Sequence, residues 1–221
     1  MTRLSSSAFA LAASAAALAA GAGGAAAKAK PSCATRGKTV VANSRTRVYT
    51  VRRSGGRKLY FGCVNGHRRH WLGSQVPPDP NDLGETRKFV DQVQLNRRRV
   101  TYERRTCRNT FGTAGCKHAV RTVDARSGKL LFRNTQHGAE FLIVAASDGS
   151  FATASEFGIG PEEVVSYTGP NGTVELDHAS GDGISRADEI DVYSLAIGGK
   201  TIYWTHNGRP RSAPIPPAPT G

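Results

Sequence analysis

An apolar strand, a polar turn and a second apolar strand return at nearly constant intervals along this chain, and that recurrence restricts its fold more than any other feature. Thr39-Val-Val-Ala42 leads through Asn43-Ser-Arg-Thr46 to Arg47-Val-Tyr-Thr50, and the same sense is found in Gln94–Tyr102, Val144–Thr153 and Ala196–Trp204. The second strands are anchored at Val48, Val100, Phe151 and Ile202, at intervals of 52, 51 and 51 residues. Between anchors lie further hairpins, Val120–Phe132 and Val164–Leu176, turned by Ser127-Gly128 and Asn171-Gly172, dipeptides that accept a positive φ at little cost. Apart from the N-terminal Ala-rich run, no long segment carries helical periodicity. One small sheet per interval cannot cover both of its own faces, so successive sheets must stack. The pattern predicts an all-β, antiparallel domain of about four such units, the last short of its fourth strand.

Four strands in about fifty residues is the size of a propeller blade. The segment Val123-Asp-Ala-Arg-Ser-Gly-Lys-Leu-Leu-Phe132 resembles the strand–turn–strand of quinoprotein-type and WD-type propeller repeats. Tyr60-Phe-Gly-Cys63, Leu176-Asp177, Ser194-Leu-Ala-Ile197 and Tyr203-Trp-Thr-His-Asn-Gly208 are similar to segments of uncharacterised secreted proteins of high-GC bacteria. The resemblance implies propeller-like blades, either closed into a small ring or left as an open arc, and implies nothing about activity. A β-sandwich is the alternative architecture, although it does not predict a common spacing.

The N-terminus reads as an export signal. Met1-Thr2-Arg3 is followed by an apolar run from Ala8 to Ala20 and a small-residue stretch ending at Ala27, too short to span a bilayer as a stable helix. The chain divides into a signal peptide over 1–27, a repeat domain over 28–213 and a Pro-rich tail over 214–221. Export to an oxidising compartment makes Cys33, Cys63, Cys107 and Cys116 candidates for two disulfides, with three pairings open. Cys107 with Cys116 closes the smallest loop, and Cys33 then ties the mature N-terminus to Cys63. No C-x-x-C pair suggests a metal site. The expected location is extracellular or associated with the cell envelope.

Charge is divided unevenly. Residues 28–133 hold 25 Lys and Arg against 6 Asp and Glu, whereas residues 134–221 hold 4 against 11. Asymmetry of this kind points to an anionic partner or to attraction between the halves. The basic runs Arg52-Arg53, Arg68-Arg69, Arg97-Arg98-Arg99 and Arg104-Arg105 read as turns or strand starts, which would set them on a rim able to meet phosphates or carboxylates. The expected partner is an anionic cell-envelope polymer or an acidic protein; export and the lack of a reader motif argue against nucleic acid. Asp177, Asp182, Asp188, Glu189 and Asp191 crowd a glycine-rich stretch that could offer oxygens to calcium, but the spacing departs from an EF-hand and suits a solvated loop better. His67 and His70, three apart on a strand, would face opposite ways, as would Asp177 and His178. No nucleophile elbow, zinc helix or phosphate-cradling loop is present, and no motif calls for a cofactor. These features favour a non-catalytic binding or scaffolding module, with a propeller-type hydrolase or lyase carrying a central-mouth site as the competing class.

Overall fold

The structure, a computed structural model, describes residues 33, 37–76, 86–110, 113–136, 140–157, 162–180 and 188–217. The expected signal peptide, Asp182 and the end of the tail lie outside these residues. The described chain is all-β, four antiparallel sheets following one another in sequence. The first runs β1 (Lys38–Ala42), β2 (Thr46–Arg52), β3 (Lys58–Val64) and β4 (His70–Gln75), and the second runs β5 (Thr86–Asn96), β6 (Arg99–Thr110), β7 (Thr113–Asp124) and β8 (Leu130–Gln136). The third comprises β9 (Glu140–Ala145), β10 (Phe151–Phe157), β11 (Glu162–Gly169) and β12 (Gly172–Ser180), and the fourth comprises β13 (Ile190–Gly198), β14 (Thr201–His206) and β15 (Arg209–Pro214). Every sheet is a meander in which each strand pairs with the one before it.

The four anchors occupy one equivalent place. Each lies near the start of the second strand of its sheet, opposite a first-strand residue: Val48 faces Val41, Val100 faces Leu95, Phe151 faces Ala145 and Ile202 faces Ile197. All four are 0% exposed. Burial then follows from position in the stack. Phe151 to Ser155 on β10 are buried on both faces, because the third sheet has neighbours on both sides. On β14 only Ile202, Trp204 and His206 are buried while Tyr203 is exposed, the alternation of a sheet covered on one side.

Apolar clusters join the sheets in chain order. Val48, Tyr60, Leu72, Val90, Val100, Tyr102 and Val123 weld the first to the second. Ala152, Ala154, Val165, Leu195, Ile202 and Trp204 weld the third to the fourth, small alanines making room for the indole. The middle junction is narrower, with Val120, Ile143, Phe151 and Phe132. Polar groups complete it: Thr101 and Thr122 share a hydroxyl hydrogen bond of 2.8 Å, and the buried Glu103 pairs with His118. The Gln92 side-chain oxygen accepts the Ile143 amide at 3.0 Å, and that of Gln94 accepts the Ala145 amide at 2.9 Å, so two side chains stand in for a neighbouring strand along β9. Among the described residues no core cluster joins the fourth sheet back to the first, so the four sheets do not close on one another, an arrangement that fits an open arc or a sandwich.

The fourth sheet has three strands, as the shortened last interval predicts. Its outer strand is blunted by sequence. Ile215 donates its amide inward to the Lys200 carbonyl at 2.8 Å, so odd-numbered amides of β15 point toward β14 and even-numbered ones point out. Two of the three outward positions are Pro210 and Pro214, which have no N–H to offer. Residues 215–217 of the tail are not the loose end its prolines suggest. Ile215 packs against the core of the last two sheets, and Asn171 donates to the Pro217 carbonyl at 2.8 Å.

Both disulfides pair as the loop lengths favour: Cys33 with Cys63, and Cys107 with Cys116, directly opposite each other on β6 and β7. They span 30 and 9 residues, so loop-closure entropy makes the first worth about 3–4 kcal/mol and the second about 2–3 kcal/mol. Replacing Cys33 and Cys63 with serine should therefore lower the urea midpoint more than replacing Cys107 and Cys116; the reverse order would refute the entropic account. No helix among the described residues is long and apolar enough to cross a membrane.

Candidate functional site

The turns of successive sheets emerge at the two ends of the strands, and the arginine runs are spread over both ends and the interior of β6. The β1–β2, β3–β4, β5–β6 and β7–β8 turns meet at one end and enclose a cleft of about 940 Å³ between the first and second sheets. Five arginines line it, Arg45, Arg97, Arg98, Arg99 and Arg126, together with His67 and the amide side chains of Asn43 and Asn65. Among the described residues no Asp, Glu, Phe, Tyr or Trp is part of its lining.

Side-chain hydrogen bonds build this cleft from short turns. The Asn43 carboxamide oxygen accepts the amides of Arg45 and Thr46 at 3.0 and 2.9 Å, fixing the β1–β2 turn. Its nitrogen donates across the junction to the Arg97 carbonyl at 2.6 Å, so one side chain sets the distance between two sheets. On the other wall, Asp124 Oδ1 accepts the amides of Arg126 and Ser127 at 2.8 and 3.0 Å, while Oδ2 receives Arg98 Nε at 2.7 Å. Burial pushes the Asp124 carboxyl up, but these hydrogen bonds and the Arg98 charge outweigh it and hold the group below the usual carboxylate range. The carboxylate therefore stays ionised and keeps Arg98 in place. Arg99 reaches the other way, donating to the Ser147 carbonyl at 2.6 Å. Among the described residues no carboxylate pairs with Arg45, Arg97 or Arg126.

Arg97 carries a backbone anomaly. The two-residue turn between Asn96 and Arg99 matches that between Gly198 and Thr201 in the fourth sheet. Gly199 there has φ 61°, and Arg97 in the equivalent place has φ 54°. A side chain in the left-handed region costs about 1–2 kcal/mol, which glycine avoids. The arginine is kept in that conformation by Asn43 and by the Ala125 amide, which donates to the Arg98 carbonyl at 2.8 Å.

The nine arginines expected to form a single rim do not share a face. Arg97, Arg98 and Arg99 line the cleft. Arg68 and Arg69 lie in the adjoining β3–β4 connection, where Arg69 stacks 4.7 Å above the Phe61 ring. Arg52 ends β2 and Arg53 follows it, a full strand away from the cleft, roughly 20 Å at about 3.3 Å per residue. Arg104 and Arg105 are not in a turn or at a strand start but in the middle of β6, which runs on for 12 residues. Arg104 lies 5.5 Å over Trp71, and Arg105 pairs with Asp91 at 3.1 Å and lies 4.9 Å over Phe89. Their long stems cover apolar surface while the guanidinium groups find partners, which is how a charged pair survives inside a strand.

No protein-family model, curated protein or solved structure matches this chain. Its site is therefore read from geometry alone. The sequence reading missed Arg45, Arg126 and His67, though a signal for Arg45 was present: it stands three residues before the anchor Val48, as Arg97 stands three before Val100. The corresponding positions of the third and fourth units are Asp148 and Gly199, so the cationic turn belongs to the first two sheets only. His67 and His70 are separated by their settings rather than by strand alternation, His67 lining the cleft and His70 Nε2 meeting the Arg126 carbonyl at 3.1 Å.

The acidic segment is not a single solvated loop. Asp177 lies within β12, and Asp177 and Asp188 both engage His206. Among the described residues no group of three or more His, Cys, Asp and Glu side chains is arranged to hold a metal ion. Asp177 and His178 do not act as a pair through their side chains; the His178 ring faces Glu175 at 3.6 Å.

Proposed function

We propose that this chain is an exported, non-catalytic binding module that holds an anionic, phosphate- or carboxylate-bearing polymer in the cleft between its first two sheets. The observation that carries the reading is the convergence of five arginines on one cleft, of which Arg45, Arg97 and Arg126 have no carboxylate partner among the described residues and Arg97 takes a backbone conformation that an arginine adopts at a cost. Planar guanidinium groups meet oxyanions two hydrogen bonds at a time. The surroundings reinforce them: residues 37–76 hold nine Lys and Arg and no Asp or Glu. Among the described residues the lining offers no Phe, Tyr or Trp platform for stacking bases, which disfavours nucleic acid. Among the described residues the carboxylate on its wall, Asp124, is committed to Arg98 and to two backbone amides and does not pair with His67, which disfavours a hydrolase or lyase. Export is supported by the basic and apolar N-terminus and by two disulfides of the kind an oxidising compartment maintains.

The test is titration with long-chain inorganic polyphosphate and with poly-glutamate at several salt concentrations. The logarithm of affinity should fall linearly with the logarithm of salt, the slope reporting the charges engaged. Substituting Arg45, Arg97 and Arg126 together by glutamine should flatten that slope and weaken binding at least tenfold, since a hydrogen bond to a charged group is worth about 1.5–3 kcal/mol. Substituting Arg52 and Arg53 should leave the cleft's share of binding intact. Equal losses from both variants would mean diffuse charge attraction and no site.

A further inference from the structure

His206 ends β14 where the fourth sheet meets the third, and both of its ring nitrogens face carboxylates. Nδ1 lies 2.9 Å from Asp177 Oδ2 on β12, and Nε2 lies 2.6 Å from Asp188 Oδ1 in the segment that leads into β13. The same Asp177 oxygen accepts the Trp204 indole N–H at 2.5 Å, and its other oxygen accepts the His178 amide at 3.0 Å. Asp188 also receives the Asn207 carboxamide at 3.0 Å and the Ser180 amide at 3.3 Å. A neutral imidazole has one N–H and one bare lone pair, so it can satisfy only one of two opposed carboxylates; the imidazolium donates to both. The His206 side chain is 11% exposed, leaving water little room to repair a mismatch.

The charged groups on the elements packed around it favour the cation. Glu175, Asp177 and His178 lie on β12, Glu162 and Glu163 on β11, Asp188 and Glu189 in the connection and Asp191 on β13. Against them stand Arg209, opposite His206 on β15, and Arg211, opposite Trp204. Glu163 accepts the Ile190 amide, tying the start of β13 to the third sheet a short step away.

We propose that this Asp–His–Asp bridge is a pH-sensitive clasp that ties the fourth sheet to the third and releases when the His206 imidazolium gives up its proton. The hydrogen bond to Asp188 and then that to Asp177 raise His206 above its ordinary 6.5, against the pull of burial. Its stabilising share is therefore complete below about pH 6.5 and is lost as pH climbs through the raised value. The Asp188 carboxyl is lowered chiefly by His206; burial pushes Asp177 up, but the Trp204 and His206 hydrogen bonds bring it below 3.8. Their share is complete above about pH 3.8 and is lost only on acidification through those lowered values. The clasp is fully made from roughly pH 4 to 6.5. It uses no residue of the arginine cleft, so it stands or falls separately from the binding reading.

The chain supplies its own probe. It has two tryptophans, and Trp71 is 53% exposed, so the full-length W71F protein leaves Trp204 alone to report on Asp177. Between pH 5 and pH 10 we expect Trp204 emission and the intrinsic-rate-corrected hydrogen-exchange protection of β13–β15 to change together, at the midpoint of the His206 titration followed by NMR. Asp188→Asn, at a side chain 41% exposed, should move that midpoint to lower pH. His206→Gln should abolish the step. Protection that stays level across the His206 titration, an unmoved midpoint in Asp188→Asn, or a step that persists in His206→Gln would overturn the clasp.

Discussion

Truncating Phe151 to alanine is expected to lower the unfolding free energy by about 3–5 kcal/mol. Phe151 is 0% exposed and is the biggest fully buried member of the small apolar cluster between the second and third sheets. Elsewhere a neighbouring leucine or valine can lean into a vacated space. Here the surroundings include Thr101, Thr122, Glu103 and His118, already committed to their own hydrogen bonds, so a cavity cannot collapse cheaply. Because this junction joins the basic half of the chain to the acidic half, its loss should also separate unfolding into two steps. Chemical denaturation followed by two probes, one in each half, checks both points. Val40→Ala, at a side chain 44% exposed on β1, should change stability by no more than about 0.5 kcal/mol. A cost below 1 kcal/mol for Phe151→Ala would mean that the middle junction is not held by packing.

Arg97→Gly should do two opposite things. Removing the side chain from a left-handed position relieves roughly 1 kcal/mol of backbone strain, so the variant should be the more stable protein. It should also bind polyphosphate about tenfold less tightly, because an unpaired guanidinium leaves the cleft. A purely structural arginine predicts the first effect without the second, and an arginine on a diffuse basic surface predicts neither in this size. Calorimetry on the free protein and a binding isotherm at fixed salt are enough to separate the three. The equivalent experiment in reverse, Gly199→Arg, should cost stability and add no specific binding, since the fourth sheet has no facing wall of arginines.

What could be read from the chain beforehand was whatever depends on local pattern. Val48, Val100, Phe151 and Ile202 announce their strands because the side chains either side of a short polar turn must alternate, and the alternation is visible in ten residues. The disulfides follow from loop length once export is granted. The arginine cleft was only half legible: Arg97, Arg98 and Arg99 stand together, but Arg45 and Arg126 come from turns that the chain order holds far apart. Arg104 and Arg105 were misplaced because consecutive charges resemble a turn, whereas Trp71, Phe89 and Asp91 on neighbouring strands make a strand interior habitable for them. His206 could not be found at all. Its partners lie 29 and 18 residues away, and nothing in a local window marks three residues that only sheet packing brings together.

The prolines on β15 decide how the molecule behaves among its own kind. A stack of sheets that stops one strand short presents a row of backbone groups onto which another polypeptide could graft itself, and many copies doing so would lengthen into a fibre. Along this rim, a visiting strand seeking three donors finds only the Ser212 amide, flanked by two rings that have none. Two residues of β15 thus withhold most of the donors that such grafting would need.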